Sequence, residues 1–89
     1  MLIESKLDFR LTSEDRDDLI AFCKELRMKK RRCWGSTEGK ATLIQFTRHE
    51  AKLQIIIRGT TATILCLEPD DQVVRVTYER LLERLFEYE

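Results

Sequence analysis

Apolar and polar residues alternate at the start of the chain: Leu7, Phe9 and Leu11 are interleaved with Lys6, Asp8 and Arg10. A period of two puts alternate side chains on opposite faces of an extended chain, so residues 3–11 are predicted as a half-buried strand. The period then changes. Thr12 and Ser13 precede Glu14 and Asp15, and Thr12-x-x-Asp15 has the form of a capping box. Leu19, Phe22, Cys23 and Leu26 recur at helical spacing and form one apolar stripe. Acids (Glu14, Asp15, Asp17, Asp18) stand at the start of this helix and bases (Arg27, Lys29, Lys30) at its end, the order that the helix dipole favours.

Residues 31–40 contain Gly35 and Gly39, two of the three glycines, and are predicted as a loop or irregular hairpin. Three strand-like runs follow. Residues 41–48 place Ile44 and Phe46 on one face and Gln45 and Thr47 on the other. Residues 52–58 place Leu53, Ile55 and Ile57 inward and Lys52, Gln54 and Arg58 outward, and residues 61–68 are rich in β-branched side chains. Gly59-Thr60 fits a tight turn between the last two. Pro69, Asp70 and Asp71 suit a helix start, and Val74, Tyr78, Leu81, Leu82, Leu85 and Tyr88 continue at helical spacing. A helix over 70–88 is expected, with a later start at Thr77 as the alternative, because Val73, Val74 and Val76 also suit a strand.

The predicted order is β-α-β-β-β-α, an α+β fold. An antiparallel sheet of three or four strands with two helices on one face buries every apolar stripe found in the 89 residues. This order is similar to that of ribosome-associated hibernation factors. Its inner α-β-β-β-α resembles double-stranded-RNA-binding domains and the small Alu-domain proteins of the signal recognition particle. The resemblance is one of element order. The lysine-rich start of the second helix found in the double-stranded-RNA module has no counterpart, since 70–88 alternates Glu79, Arg80, Glu83, Arg84 and Glu87. It implies a fold and no family.

Composition supports one folded domain over 1–89: 43% of residues are apolar and 36% charged, enough for a core. Glu4 and Asp8 near the N-terminus, and no apolar run of membrane-spanning length, point to a cytoplasmic chain without a membrane partner. Cys23, Cys33 and Cys66 are an odd number, which argues for reduced thiols; Cys23 and Cys66 fall inside apolar patterns and Cys33 outside them.

Net charge is zero, yet residues 24–58 hold ten Lys/Arg against three Asp/Glu, an excess of seven. Residues 1–23 carry three basic against six acidic, and 59–89 three against seven. A basic middle between acidic ends suits an anion only if folding gathers the bases on one surface. Lys24, Arg27, Lys29, Lys30, Arg31 and Arg32, with Trp34 placed to stack on a base and Lys52 and Arg58 to extend the surface, are the candidate nucleic-acid or anion contacts. Bases at a helix end also complement its dipole, and Trp34 also suits a core cap, so the pattern has a purely structural reading beside the functional one.

Catalytic chemistry finds little footing. His49 is the single histidine and lies at an expected turn. No C-x-x-C, no G-x-x-x-x-G-K-[ST] and no G-x-G-x-x-G occurs, and Asp17/Asp18 and Asp70/Asp71 are explained as helix starts. Neither an enzyme nor a cofactor is expected. The C-terminal stripe is wider than a small sheet needs, which makes Tyr78, Leu82 and Phe86 candidate interface residues. Two function classes follow: a small non-enzymatic adaptor acting through protein contact or self-association as a homodimer and, as the alternative, an RNA- or nucleic-acid-binding domain.

Overall fold

A computed structural model of the chain describes residues 5–35, 41–68 and 70–88. Residues 3 and 4 of the first expected strand, residues 36–40 of the expected loop, and Pro69 lie outside the described residues. The order is β1 (Ser5–Arg10), α1 (Ser13–Glu25), β2 (Lys29–Gly35), β3 (Ala41–Arg48), β4 (Leu53–Arg58), β5 (Thr61–Cys66) and α2 (Gln72–Glu87). The strands form one antiparallel sheet in the order β1-β5-β4-β3-β2, so β1 and β2 are its edges. The α+β class and the antiparallel sheet agree with the expectation. The strand number does not: there are five strands, because Lys29–Gly35 is β2 rather than a helix end followed by a loop. The seven-element order also departs from the six-element order on which the resemblance rested.

The extra strand exists because α1 stops early. Leu26 is its C-cap, Arg27 takes a left-handed backbone at φ 59°, and the amides of Arg27 and Met28 reach back to the carbonyls of Lys24 and Cys23, both at 3.0 Å. That pair of bonds is a Schellman motif, in which glycine normally holds the left-handed position. An arginine stands there instead, so the stop has no glycine to announce it. The Arg48 guanidinium donates to the Leu26 carbonyl and covers the helix end from β3.

At its start α1 is capped as expected, with the Thr12 hydroxyl accepting from the Asp15 amide at 3.1 Å. Helix α2 is capped by Asp71, whose carboxylate accepts from the amides of Val73 (3.0 Å) and Val74 (3.2 Å). The later start at Thr77 is not taken. Among the described residues no helix is long and apolar enough to cross a membrane.

Both helices cover one face of the sheet. Leu19, Phe22 and Cys23 from α1 and Val74, Leu81 and Leu85 from α2 join Phe9, Ile44, Phe46, Leu53, Ile55, Ile57, Ala62, Ile64 and Cys66 in one buried cluster. The helices are also tied to each other. Tyr88 donates its hydroxyl to Asp18, and Arg84 lies 3.6 Å from the same carboxylate and 4.4 Å over the Phe22 ring. One expected core residue is displaced: Leu7 is 39% exposed. It shares a face with Phe9, but β1 is an edge strand. Phe86 of α2 meets the Phe9 ring edge-on at 5.6 Å.

Ile55 is fully buried in the central strand β4. Ile55→Ala should destabilise the fold by about 2–5 kcal/mol in denaturant titration, the range for emptying such a site. A loss well under 1 kcal/mol would mean that the strand is not packed as described.

Candidate nucleic-acid interface

Antiparallel pairing fixes which side chains share the uncovered face. Ile55 and Ile57 point to the helices, so Gln54, Ile56 and Arg58 point away from them. Cross-strand partners extend the assignment: Arg58 pairs with Leu43 and Thr61, Gln45 with Ile56, Lys6 with Leu65, and Arg10 with Thr61. In β2, Lys29 pairs with Thr47, Arg32 with Gln45 and Trp34 with Leu43, so all three share this face. The register shifts between Lys30 and Arg32, a bulge that leaves Arg31 as the extra residue. Arg31 turns to the same face and donates from Nε to the Thr47 hydroxyl at 3.3 Å.

The uncovered face therefore carries Lys6, Arg10, Lys29, Arg31, Arg32 and Arg58. Asp8 is the only acid in any of the five strands, and it accepts from the Thr63 hydroxyl at 2.6 Å. Trp34 is 63% exposed, so it caps no core. The helices behind the sheet carry Glu14, Asp15, Asp17, Asp18 and Glu25 on α1 and Glu79, Glu83 and Glu87 on α2, while Glu50 stands at the corner turn between β3 and β4. The strands thus hold eight Lys/Arg against one acid, whereas α1 holds five acids against two bases and α2 three against three.

Two depressions mark the face. One, of about 490 Å³, crosses β1, β5 and β4 between Lys6, Asp8, Ile56, Arg58, Thr63 and Leu65. The other, of about 280 Å³, lies at the far corner, where Lys29, Arg31 and Thr47 meet Arg27 and the turn at 48–51. Gln45 and Gln54 lie between them, with the Gln45 amide donating to the Gln54 side chain at 2.8 Å.

The expected contacts divide accordingly. Lys29, Arg31, Arg32, Trp34 and Arg58 come together on the face, and Arg27 joins them at its corner. Lys24 stays on the last turn of α1, and Lys30 pairs with Phe46 on the helix side. Lys52 is engaged elsewhere: its ammonium is 2.9 Å from Glu68 and 3.9 Å from Asp71, and the hydrogen bond and charge of Glu68 raise its pKa. Tyr78 and Leu82, expected at an interface, are half-buried against the core, whereas Phe86 is 55% exposed. Lys6, Arg10 and Arg48 were not singled out by sequence. Lys6 and Arg10 share one side of the first strand by simple alternation, but nothing local places that strand beside β5.

Of the thiols, Cys23 is pushed up to about 12 by burial and Cys66 is raised by the same cause, while Cys33 is exposed. Buried, protonated thiols of this kind are poor nucleophiles.

His49 is half-buried in the turn between β3 and β4. Its Nε2 is 3.2 Å from the Thr77 hydroxyl, which itself donates to the Val73 carbonyl, so the ring is the donor of the first bond. Loss of hydration, then the neighbouring Arg48 and Lys52 cations, hold its pKa below the ordinary 6.5, against an opposing pull from Asp71. Comparison of the chain with models of protein families, with curated proteins and with solved structures finds no match.

Because His49 takes up a proton less readily folded than unfolded, the unfolded chain binds more protons in the window below 6.5. Stability should then fall as pH drops through that window. The fall in Tm between about pH 7.5 and about pH 5.5, which brackets the ordinary imidazole value, should be smaller in His49→Asn. Asparagine tolerates the left-handed backbone at this position, φ 54°. Equal falls in the two proteins would remove His49 as the cause.

Proposed function

We propose that the chain binds single-stranded nucleic acid across the uncovered face of its sheet. The observation that carries this reading is the segregation of charge. Six cations and an exposed tryptophan share a face whose strands hold one carboxylate, with the acids of both helices on the opposite side. Phosphates release counterions when such groups neutralise them. Trp34 offers a π-face to an unstacked base, and Gln45, Gln54 and Thr63 offer hydrogen bonds to base edges. Leu43, Ile56 and Leu65, half-buried on this face, offer the bases apolar surface between the cations.

Titration with an oligonucleotide of about a dozen residues, within the site sizes of sheet-based binders, tests this reading. Affinity should fall with salt at a slope of about −0.7 per phosphate contacted, and the Arg32→Ala, Arg58→Ala double variant should lower that slope by roughly 1.4. Trp34→Ala should weaken binding by about 1–3 kcal/mol with the slope nearly unchanged, because stacking displaces no counterions. No binding of RNA or DNA at low salt would overturn the proposal.

A second reading, contact with protein including a second copy of the chain, rests on a different surface. Leu7 and Phe86 are both exposed, and Phe86 packs on Phe9 at the free edge of β1. If this strip self-associates, the apparent mass should fall on dilution and Phe86→Glu should give a soluble monomer. A chain that is already monomeric near millimolar concentration would exclude self-association.

A further inference from the structure

The corner pocket differs from the rest of the basic face in its backbone. Among the described residues four non-glycine residues have left-handed φ: Arg27 (59°), His49 (54°), Glu50 (58°) and Ala51 (66°). All four line this one pocket. Unfavourable backbone persists where the surrounding structure holds it, and such sites cluster where a ligand is bound. Here the left-handed turn at 49–51 forms one wall and the reversal at Arg27 forms another, with Lys29, Arg31 and Thr47 between them.

The same residues concentrate charge. Arg27, Lys29, Arg31 and Arg48 line a space of about 280 Å³ with His49 beside them and Glu50 as the one acid. Two of the guanidinium groups are already oriented. Arg48 is held by the Leu26 carbonyl, and Arg31 by the Thr47 hydroxyl at 3.3 Å. Each spends one of five N–H donors on that contact, and a planar fork fixed in this way loses little freedom when it meets a phosphate.

We propose that this pocket seats a terminal phosphate of the bound strand, an inference that rests on the nucleic-acid reading above. A phosphate monoester carries close to two negative charges at neutral pH and three acceptor oxygens, where an internal diester carries one charge. A walled pocket lined by four permanent cations selects for that difference, and its two enclosing turns suit an end of the strand better than a segment passing through. Lys29 begins β2 and Trp34 lies five positions further on, roughly 16 Å at the rise of an extended chain. A strand fixed by its end phosphate would therefore run along β2 and lay a base on Trp34.

The test uses the full chain and one oligonucleotide sequence prepared with a 5′-phosphate, with a 3′-phosphate, and with hydroxyls at both ends. One phosphorylated form should bind about tenfold tighter or more than the hydroxyl form, the least that one charge-assisted hydrogen bond provides. Arg27→Gly should abolish that preference. Glycine relieves the left-handed backbone as it removes the guanidinium, so Tm should not fall and the loss is not one of folding. Equal binding of the three strands would overturn the phosphate seat and leave the nucleic-acid reading standing. A preference that survives both Arg27→Gly and Lys29→Gln would place the phosphate elsewhere and overturn it too. Binding of none of the strands would overturn both readings.

Discussion

Helix α1 ends where the amides of Arg27 and Met28 turn back onto the carbonyls of Lys24 and Cys23, and the rest of the molecule is arranged around that reversal. A helix continued through Lys30 would send Lys29, Lys30 and Arg31 around a cylinder, each pointing in a different direction. The reversal instead lays the segment out as a strand, so Lys29, Arg32 and Trp34 share a side, and the bulge brings Arg31 to join them. The left-handed turn costs an L-residue about 1–2 kcal/mol, and three features offset it. Met28 is buried just beyond the helix, the Arg48 guanidinium covers the Leu26 carbonyl, and β2 pairs with β3 from Lys29 to Gly35.

Charge and topology then reinforce one another. β1 and β2 stand at opposite edges of the sheet, and β1 adds Lys6 and Arg10 to the face that β2 dominates. The acidic N-terminal segment thus contributes Lys6 and Arg10 to the basic surface, while Glu14, Asp15, Asp17 and Asp18 lie on α1. The three acids of α2 are matched by Arg75, Arg80 and Arg84, so α2 is neutral and the negative charge of the helix layer lies on α1. A potential divided between two faces favours an oriented encounter with a polyanion even when the total charge is zero.

Most elements were legible because their periodicity is undisturbed. Alternation around Phe9 and Ile55 gave β1 and β4 with the correct inward faces, and the Thr12 cap and the Leu19-Phe22-Cys23 stripe gave α1 its start. What was hidden has a common cause. Arg27 holds a position where glycine is the usual signal, and His49, Glu50 and Ala51 form a left-handed turn with no glycine at all. β2 was obscured as well: Lys-Lys-Arg-Arg-Cys-Trp has no alternation to detect, because an edge strand with a bulge buries nothing on either side. The candidate contacts Lys29, Arg31, Arg32, Trp34 and Arg58, grouped by the charge run and the tryptophan that follows it, lie on one face of the sheet. Only the sheet order showed that Lys52 belongs with Glu68 and that Lys6 and Arg10 belong with the group.

The composition of β2 also bears on how copies of the chain treat one another. An edge strand presents unpaired amides and carbonyls, an invitation to a neighbouring strand and so to aggregation. Along this edge run Lys29, Lys30, Arg31 and Arg32, and the ladder is broken between Lys30 and Arg32 and again between Trp34 and Gly35. A second β2 laid against it would bring four like charges onto four, across a backbone whose hydrogen-bonding spacing is twice interrupted. The cations assigned above to a proposed polyanion contact therefore also disfavour pairing at that edge, and neutralising them would weaken both effects together.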